Sequence, residues 1–375
     1  MIPVCIPTLG KKELEYVQDC VKTNWISSQG GYIKKFEEGF SSYCGAKYGI
    51  SCTSGTTALH LALESLGIGF GDEAIIPNFT MIATSYAVIY TGARPVLVDS
   101  EPYTWNIDTE KIEEKISKRT RAIMPVHIYG HPCDMDKINK LARDYNLYVI
   151  EDAAEAHGAE YKEKKVGNLS DIGCFSFYAN KIITTGEGGM LVTNDEKIAK
   201  RAKVLREHGF GEPRFVHSVI GFNYLMTNMQ AAIGLAQLEN IENLVQARIN
   251  NANLYNKYLS KIEGIKTPPK SDWAKNVYWM YGILIDNKFG VKKEDIMKKL
   301  YEKGVDTRNF FVPMHKQPIY QNKDPRFPDT RGNYPVSDEL SSKGFYLPSS
   351  SSLKKEEIKY IVDCIKEIKE TGQKQ

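Results

Sequence analysis

The sequence predicts an α/β protein with one large, mostly parallel sheet domain over residues 1–250 and a smaller C-terminal α+β domain over residues 251–375. Three observations predict it. Short apolar runs alternate with helical spacings from about residue 47 to residue 192. Several of these runs carry no polar residue, as strands covered on both faces do. The 375 residues also exceed one ordinary domain, for which ~150 residues is a reasonable prior.

After an N-terminal helical segment, residues 48–52 read as the first strand and 55–66 as an apolar-rich helix. Residues 74–77 form the next strand, followed by a helix over 81–90, a strand over 95–98 and a helix over 109–116. A strand at 122–126, a helix at 135–144 and a wholly apolar strand at 147–150 continue the alternation. Strands at 174–177 and 190–192 complete it, and helices dominate from 196 to 259. A strand-like run at 277–285, a helix at 292–303 and a terminal helix at 354–368 make the smaller domain. The loop between those last two helices holds Pro313, Pro318, Pro325, Pro328 and Pro335. It is long for a compact domain, which predicts a functional segment or one lying across a partner.

Composition excludes several classes. With 42% hydrophobic and 25% charged residues the chain matches soluble globular domains. A net charge of +3, from 49 basic and 46 acidic residues, lacks the excess of a nucleic-acid binder. Lys354, Lys355, Lys359, Lys366 and Lys369 cluster, but interleaved glutamates make that stretch a solvated helix face. The first five residues show no basic region before an apolar core, so no signal peptide is expected. Residues 74–93 carry no charge, yet Pro77, Asn78, Thr80, Thr84 and Ser85 make them too polar for a lipid-embedded helix. Seven scattered cysteines without a CxxC pair predict a reduced, cytoplasmic protein, and the absence of an apolar span predicts no membrane partner.

Three constellations carry chemistry. Ser54-Gly55-Thr56-Thr57, between a strand and a helix, supplies free amides and a positive dipole end for phosphate. An ordinary N-cap with a turn glycine explains it equally well. Glu151 and Asp152 end an apolar strand, where open α/β sheets bind ligands. The alternatives are a turn cap or a metal pair, and no matching ligand set accompanies them. Lys181 follows the run 175–177 in an uncharged neighbourhood, where desolvation lowers a lysine's pKa and makes it a Schiff-base nucleophile. A solvated loop lysine is the bland alternative. The glycines 186–189 read as a tight turn. Together, anion cup, strand-end acid and lysine suit pyridoxal 5′-phosphate, which needs a partner for its phosphate, its ring nitrogen and its aldehyde. His127 and His131 are separated by Gly130 and Pro132, so no metal site is expected. His60, His127 and His157 read as hydrogen-bonded structural histidines.

With these residues in view, the chain resembles the DegT/DnrJ/EryC1/StrS sugar aminotransferases, which are fold-type I pyridoxal-phosphate enzymes. The resemblance rests on SGTTALHLAL (54–63), IEDAAEAHGA (150–159), the Ser176–Lys181 spacing, TTGEGGM (184–190) and GFNY (221–224). It also covers Trp25-Ile26-Ser27-Ser28 and Gly31-Tyr32-Ile33. Segments 126–135 and 307–315 are most similar to the branch that aminates C4 of a GDP-linked 4-keto-6-deoxymannose. The resemblance implies that Lys181 bonds the cofactor aldehyde and Asp152 partners its ring nitrogen. It implies that Gly55, Thr56 and Ser176 form the phosphate cup and that Glu155 lies beside the ring. By the same resemblance Asn223 reaches the phosphate of a neighbouring subunit, implying a homodimer with shared active sites. Arg308 and His315 fall near the nucleotide-sugar pocket, and L-glutamate is the expected amino donor. Two departures stand out. Met81 occupies a position where the family commonly stacks an aromatic on the ring, and its thioether can pack there instead. Leu225 replaces a common arginine. A UDP- or dTDP-linked 3- or 4-keto sugar is the alternative substrate. A non-catalytic regulatory protein on the same fold is the reading from another class, and the full set of Lys181, Asp152 and Ser176 argues against it; Lys181 argues against the family's dehydratases, which carry histidine there.

Overall fold

Glycine and polar turns bound each apolar run, and the runs become strands that helices cover. The computed structural model describes residues 1–322 and 324–372. Helices α1 (Lys11–Lys22) and α2 (Gly31–Cys44) precede β1 (Tyr48–Cys52), α3 (Gly55–Ser65), β2 (Glu73–Pro77), α4 (Ile82–Tyr90) and β3 (Arg94–Val98). Next come β4 (Thr120–Ile123), α5 (Met135–Tyr145), β5 (Tyr148–Asp152) and the short β6 (Glu160–Tyr161) and β7 (Lys164–Lys165). Strands β8 (Ile172–Ser176) and β9 (Gly189–Thr193) lead into α6 (Glu196–Arg206), α7 (Asn228–Leu238) and α8 (Ile241–Leu259). The C-terminal part holds β10 (Ile265–Lys266), β11 (Ala274–Lys275), β12 (Tyr281–Ile285), α9 (Lys293–Glu302) and β13 (Arg308–Asn309). Helix α10 (Pro335–Lys343), β14 (Gly344–Leu347) and α11 (Lys355–Gly372) close the described chain.

The central sheet has the order β1-β9-β8-β5-β4-β2-β3. Only β9 runs against its neighbours; β2, β3, β4, β5 and β8 are mutually parallel. Cys52 and Ser176 both pair with Gly189, so the ends of β1 and β8 meet the start of β9 at one edge. That is the carboxyl edge of the parallel strands, where such sheets bind ligands. A second, antiparallel sheet has the order β10-β12-β14-β13, and a third joins β11, β6 and β7.

Packing ties the layers together. Phe36 and Phe40 of α2 are fully buried against Phe175 and Phe177, with Phe40–Phe175 centroids 4.8 Å apart at 83°. Helix α8 runs through the expected boundary at residue 250. Its Leu244 and Val245 pack with Phe36 and Phe40, and its Ala252, Tyr255 and Leu259 pack with Ile283 and Phe345 of the second sheet. The N-terminus joins that second unit too: Ile2 bridges Val305, and Ser349 N donates to the Val4 carbonyl at 2.7 Å. Among the described residues, no helix is long and apolar enough to cross a membrane. The uncharged stretch 74–93 is β2 with α4.

Several expected elements differ. Residues 109–116 form two 3-10 turns, Thr109–Lys111 and Glu113–Lys115, because only Ile112 and Ile116 give that segment an apolar side. The fourth strand stops at Ile123, since Pro125 has no N–H to continue the ladder. Residues 207–227 are loop between α6 and α7, and the run at 277–285 is strand only from Tyr281. The proline-rich loop carries β13, two 3-10 turns and α10.

That segment is pinned across the ends of β2 and β3. Met314 N donates to the Asn78 carbonyl at 2.8 Å, and the Tyr320 hydroxyl reaches Ser85 at 2.7 Å. Buried Asp99 caps α10 from 237 residues away, accepting from Val336 N at 3.2 Å, Ser337 N at 2.9 Å and Ser337 Oγ at 2.6 Å. Asp99→Ala strands these donors and is expected to cost about 2 kcal/mol. A lowered urea midpoint at unchanged slope is the signature, and an unchanged midpoint counts against the cap.

Candidate active site

Ser54 is the N-cap of α3; its hydroxyl accepts from Thr57 N at 3.2 Å while Thr57 Oγ1 accepts from Ser54 N at 2.9 Å. The amides of Gly55 and Thr56 lie in the same first turn, where no intrahelical acceptor exists. Ser54, Gly55 and Thr56 line a cavity of about 340 Å³ at the carboxyl edge of the sheet. Close approach explains two glycines. A Cβ on Gly55 would stand 2.7 Å from Ser176 Cβ, and one on Gly189 would run into the Ser54 carbonyl. Their absence lets the helix start settle against Ser176, which also lines the cavity. Gly186, at φ +82°, turns the chain before β9.

The pleat sends the two carboxylates of β5 to opposite faces. Glu151 is fully buried and accepts from His127 Nε2 at 3.0 Å, Gly167 N at 2.7 Å, Leu169 N at 2.8 Å and Ser170 Oγ at 2.9 Å. Cys133 N donates to His127 Nδ1 at 3.0 Å, so the imidazole proton sits on Nε2. Asp152 faces the cavity and accepts from Thr84 Oγ1 at 2.8 Å and Ala154 N at 3.2 Å. Burial raises its pKa. The two acids are therefore not a pair. Among the described residues no cluster of three His, Cys, Asp or Glu side chains has the arrangement of a metal site.

Glu155 lines the same cavity and accepts from Tyr129 N at 2.8 Å. Tyr129 holds a left-handed conformation (φ +54°, ψ 16°), a strained backbone for a bulky residue that aims its amide at the carboxylate. Burial pushes the Glu155 carboxyl up to about 7, against the pull of Lys181. Lys181 reaches the cavity from the turn after β8, its Nζ 3.7 Å from the centre of the Trp279 ring. Burial lowers its pKa, and Glu155 and Asp152 pull the other way. Met81, the N-cap of α4, is half-exposed on the cavity rim.

Seven of the expected residues thus share one cavity: Gly55, Thr56, Met81, Asp152, Glu155, Ser176 and Lys181. The other three lie elsewhere. Asn223 is exposed in the loop between α6 and α7, its backbone bridged to Glu207. Arg308 lines a neighbouring cavity of about 400 Å³, which shares Tyr178, Asn180, Trp279 and Phe311 with the first. His315 lines neither; its Nδ1 meets the Asn78 side chain at 2.9 Å and its Nε2 lies 3.3 Å from Asp338. Sequence reasoning missed Thr84, the Tyr129 amide and Trp279. Thr84 had a signal, a hydroxyl one helical turn after Thr80, whereas Trp279 sat in a run read as strand.

His60 and His127 are hydrogen-bonded, His60 through Nδ1 to the Tyr224 hydroxyl at 3.0 Å. His157 is not: both its nitrogens lack a partner, and its ring packs against Phe40, Phe175 and Phe177. Burial lowers its pKa to about 3. A depressed folded pKa means stability is complete above about 6.5 and is lost as pH falls toward 3. At full extent that loss is roughly 5 kcal/mol. His157→Phe removes the titration, so its denaturation midpoint is expected to fall less between pH 6.5 and 4 than the wild type's. Parallel midpoint curves for the two proteins defeat this account.

The profile of the DegT/DnrJ/EryC1/StrS aminotransferase family matches residues 7–366. The chain is 43% identical over 369 residues to the GDP-perosamine synthase of Caulobacter vibrioides and 44% identical over 367 residues to that of Escherichia coli O157:H7. Each alignment covers 98% of both chains. The crystal structure of the aminotransferase TlmJ from Streptoalloteichus hindustanus superposes with a TM-score of 0.92 at 28% identity, covering 100% of both chains. The chain therefore belongs to the DegT/DnrJ/EryC1/StrS aminotransferase family and is a pyridoxal-phosphate-dependent sugar aminotransferase. The cavity fits that cofactor: it joins an uncrowded helix start, a buried acid and a desolvated lysine, and the buried Asn180 Oδ1 on its wall lacks a partner.

Proposed function

We propose that this enzyme moves an amino group from L-glutamate to C4 of GDP-4-keto-6-deoxy-D-mannose, forming GDP-perosamine. The observation that carries the reading is the identity of 43–44% to two GDP-perosamine synthases over 98% of the chain. When bound, pyridoxal phosphate supplies an aldehyde that bonds amines and a ring that stores the electron pair released at the donor's α-carbon. Lys181, buried in the cavity, would bond that aldehyde at rest. Once displaced, its amine moves a proton at the donor's α-carbon and later at C4 of the sugar. Asp152 holds a proton on the ring nitrogen, and Thr84 and Ala154 N orient its carboxylate. The amides of Gly55 and Thr56, with the Ser176 hydroxyl, bind the phosphate. Glu155 would flank the ring and Met81 would pack against it, both lining the same cavity.

A homodimer completes the proposed site, with Asn223 reaching the neighbouring subunit's phosphate. Its support is the exposed position of Asn223 in the same loop as Phe215, Val216 and Ile220, apolar side chains left open to solvent on one chain. Arg308, in the adjoining cavity, and His315, behind Asn78, are the proposed substrate-side residues. The proposed domain division is 1–250 for cofactor binding and 251–375 for the smaller unit. A cytoplasmic location agrees with the seven free cysteines.

The test loads the holoenzyme with amino groups from L-glutamate, removes the donor and presents GDP-, UDP- and dTDP-linked keto sugars. The absorbance of lysine-bound cofactor is expected to return fastest with GDP-4-keto-6-deoxy-D-mannose, giving a product with nitrogen on C4. No response from any 4-keto-6-deoxy sugar overturns the substrate class. Lys181→Ala is expected to lose that absorbance and at least about 10³-fold in turnover; ordinary turnover in it sinks the assignment.

A further inference from the structure

Trp279 touches the catalytic lysine in two ways. Its ring centre lies 3.7 Å from Lys181 Nζ, and its indole N–H donates to the Asn180 carbonyl at 2.9 Å, one residue before that lysine. The indole is itself anchored. The Trp279 carbonyl accepts from Arg248 Nη1 at 2.7 Å, and Arg248 is buried, with Nε on Ser351 Oγ at 3.0 Å and Nη2 on Cys5 Sγ at 3.3 Å. The Cys5 thiol returns to the same Asn180 carbonyl at 3.3 Å. Trp279 is only 5% exposed, yet it lines both cavities and so forms the wall between them.

We propose that Trp279 is a positioning residue for Lys181: its N–H fixes the turn that delivers the lysine, and its ring face holds the free ammonium at the wall between the cavities. The inference rests on Lys181 being the cofactor-bonding residue. A free ammonium is drawn to an aromatic face by the ring quadrupole, most strongly where water is excluded. The alternative resting place is against the carboxyl groups of Asp152 and Glu155 in the same cavity, with Cys5 and His157 the other titratable groups in range. Resting on Trp279 keeps the amine near the wall and leaves the ground between helix start and strand end clear. Stabilising the ammonium also delays its deprotonation, and only the neutral amine attacks a carbonyl carbon.

Two readouts test the two halves. The first is the pH dependence of Lys181 labelling by trinitrobenzenesulfonate in the cofactor-free full chain, read by peptide mass spectrometry with exposed Lys355 as internal control. Trp279→Leu and Trp279→Met keep an apolar wall but remove the ring face. Both are expected to move the labelling midpoint down by about one pH unit, whereas Trp279→Phe keeps it near the wild-type value. A wild-type midpoint in whichever ring-free variant retains the wild-type circular dichroism overturns the ammonium rest. The second readout is pyridoxal phosphate affinity, followed by absorbance. Trp279→Phe loses the bond to Asn180 and is expected to bind about fivefold more weakly; unchanged affinity overturns the clamp. Neither failure touches the role of Lys181, which falls only if Lys181→Ala keeps the absorbance of lysine-bound cofactor.

Discussion

Adjacent strand residues must face opposite sides of a sheet, and at the end of β5 that constraint divides two carboxylates between two tasks. Glu151, turned from the cavity, gathers the amides of Gly167 and Leu169, the Ser170 hydroxyl and the His127 ring. It thereby fixes the turn leading into β8 and the segment that carries Tyr129. Asp152, turned toward the cavity, is held by Thr84 from α4 and by Ala154 N. Its own backbone closes the frame, with its carbonyl accepting from His127 N at 3.1 Å and its N–H donating to Pro125 at 2.9 Å. The walls of the site are referenced to this one strand end. A one-residue slip in β5 would exchange the two acids and dismantle both walls.

Burial of the groups around the cavity sets up the electrostatics. Burial disfavours the charged form of every group, raising Asp152 and Glu155 and lowering Lys181, while attraction between the acids and the lysine pulls each back. A lysine held as an ordinary ammonium cannot attack a carbonyl, and one stripped of charge loses its hold on the acids. The two influences on Lys181 oppose each other, burial favouring the neutral amine and the acids favouring the ammonium. Anion binding is equally local. A chain of net charge +3 offers no broad positive field, so the groups suited to an anion are the first turn of α3 and a hydroxyl brought close by two missing side chains.

Local pattern made much of this legible. The alternation of apolar runs predicted the strands of the large sheet to within a few residues, because each is short, buried and bounded by turns. The cavity-lining positions Gly55, Asp152 and Lys181 were legible because glycine, acid and lysine fall at strand ends, where the fold directs ligands; Ser176 came only through the family resemblance. Two kinds of feature were not. Residues 109–116 carry helix-forming composition, but one apolar side of two isoleucines cannot sustain an α-helix against the core. Contacts such as Asp99 to Ser337, or Trp279 to Lys181, join residues about a hundred or more positions apart and leave no periodic trace. His157 shows the converse. It was expected to be a hydrogen-bonded structural histidine, yet its surroundings are three phenylalanines, Phe40 of α2, Phe175 of β8 and Phe177 just after it.

This asymmetry follows the division of labour in the site. Groups suited to the cofactor come from three short stretches of the large sheet, 54–56, 152–155 and 176–181, each anchored by backbone geometry that tolerates little change. The adjoining cavity is built from both ends of the chain: Val4, Cys5 and Pro7 from the N-terminus, Trp279 and Met280 ahead of β12, and Asp306 to Phe311 around β13. Such loops can change length or side chain without disturbing β5 or β8. Chemistry is therefore fixed by the sheet edge, and what approaches it is set by segments whose meeting depends on the whole fold. Trp279 stands at the joint, its ring on Lys181 and its carbonyl on Arg248 of α8, so the wall built from distant segments is held in register with the sheet edge.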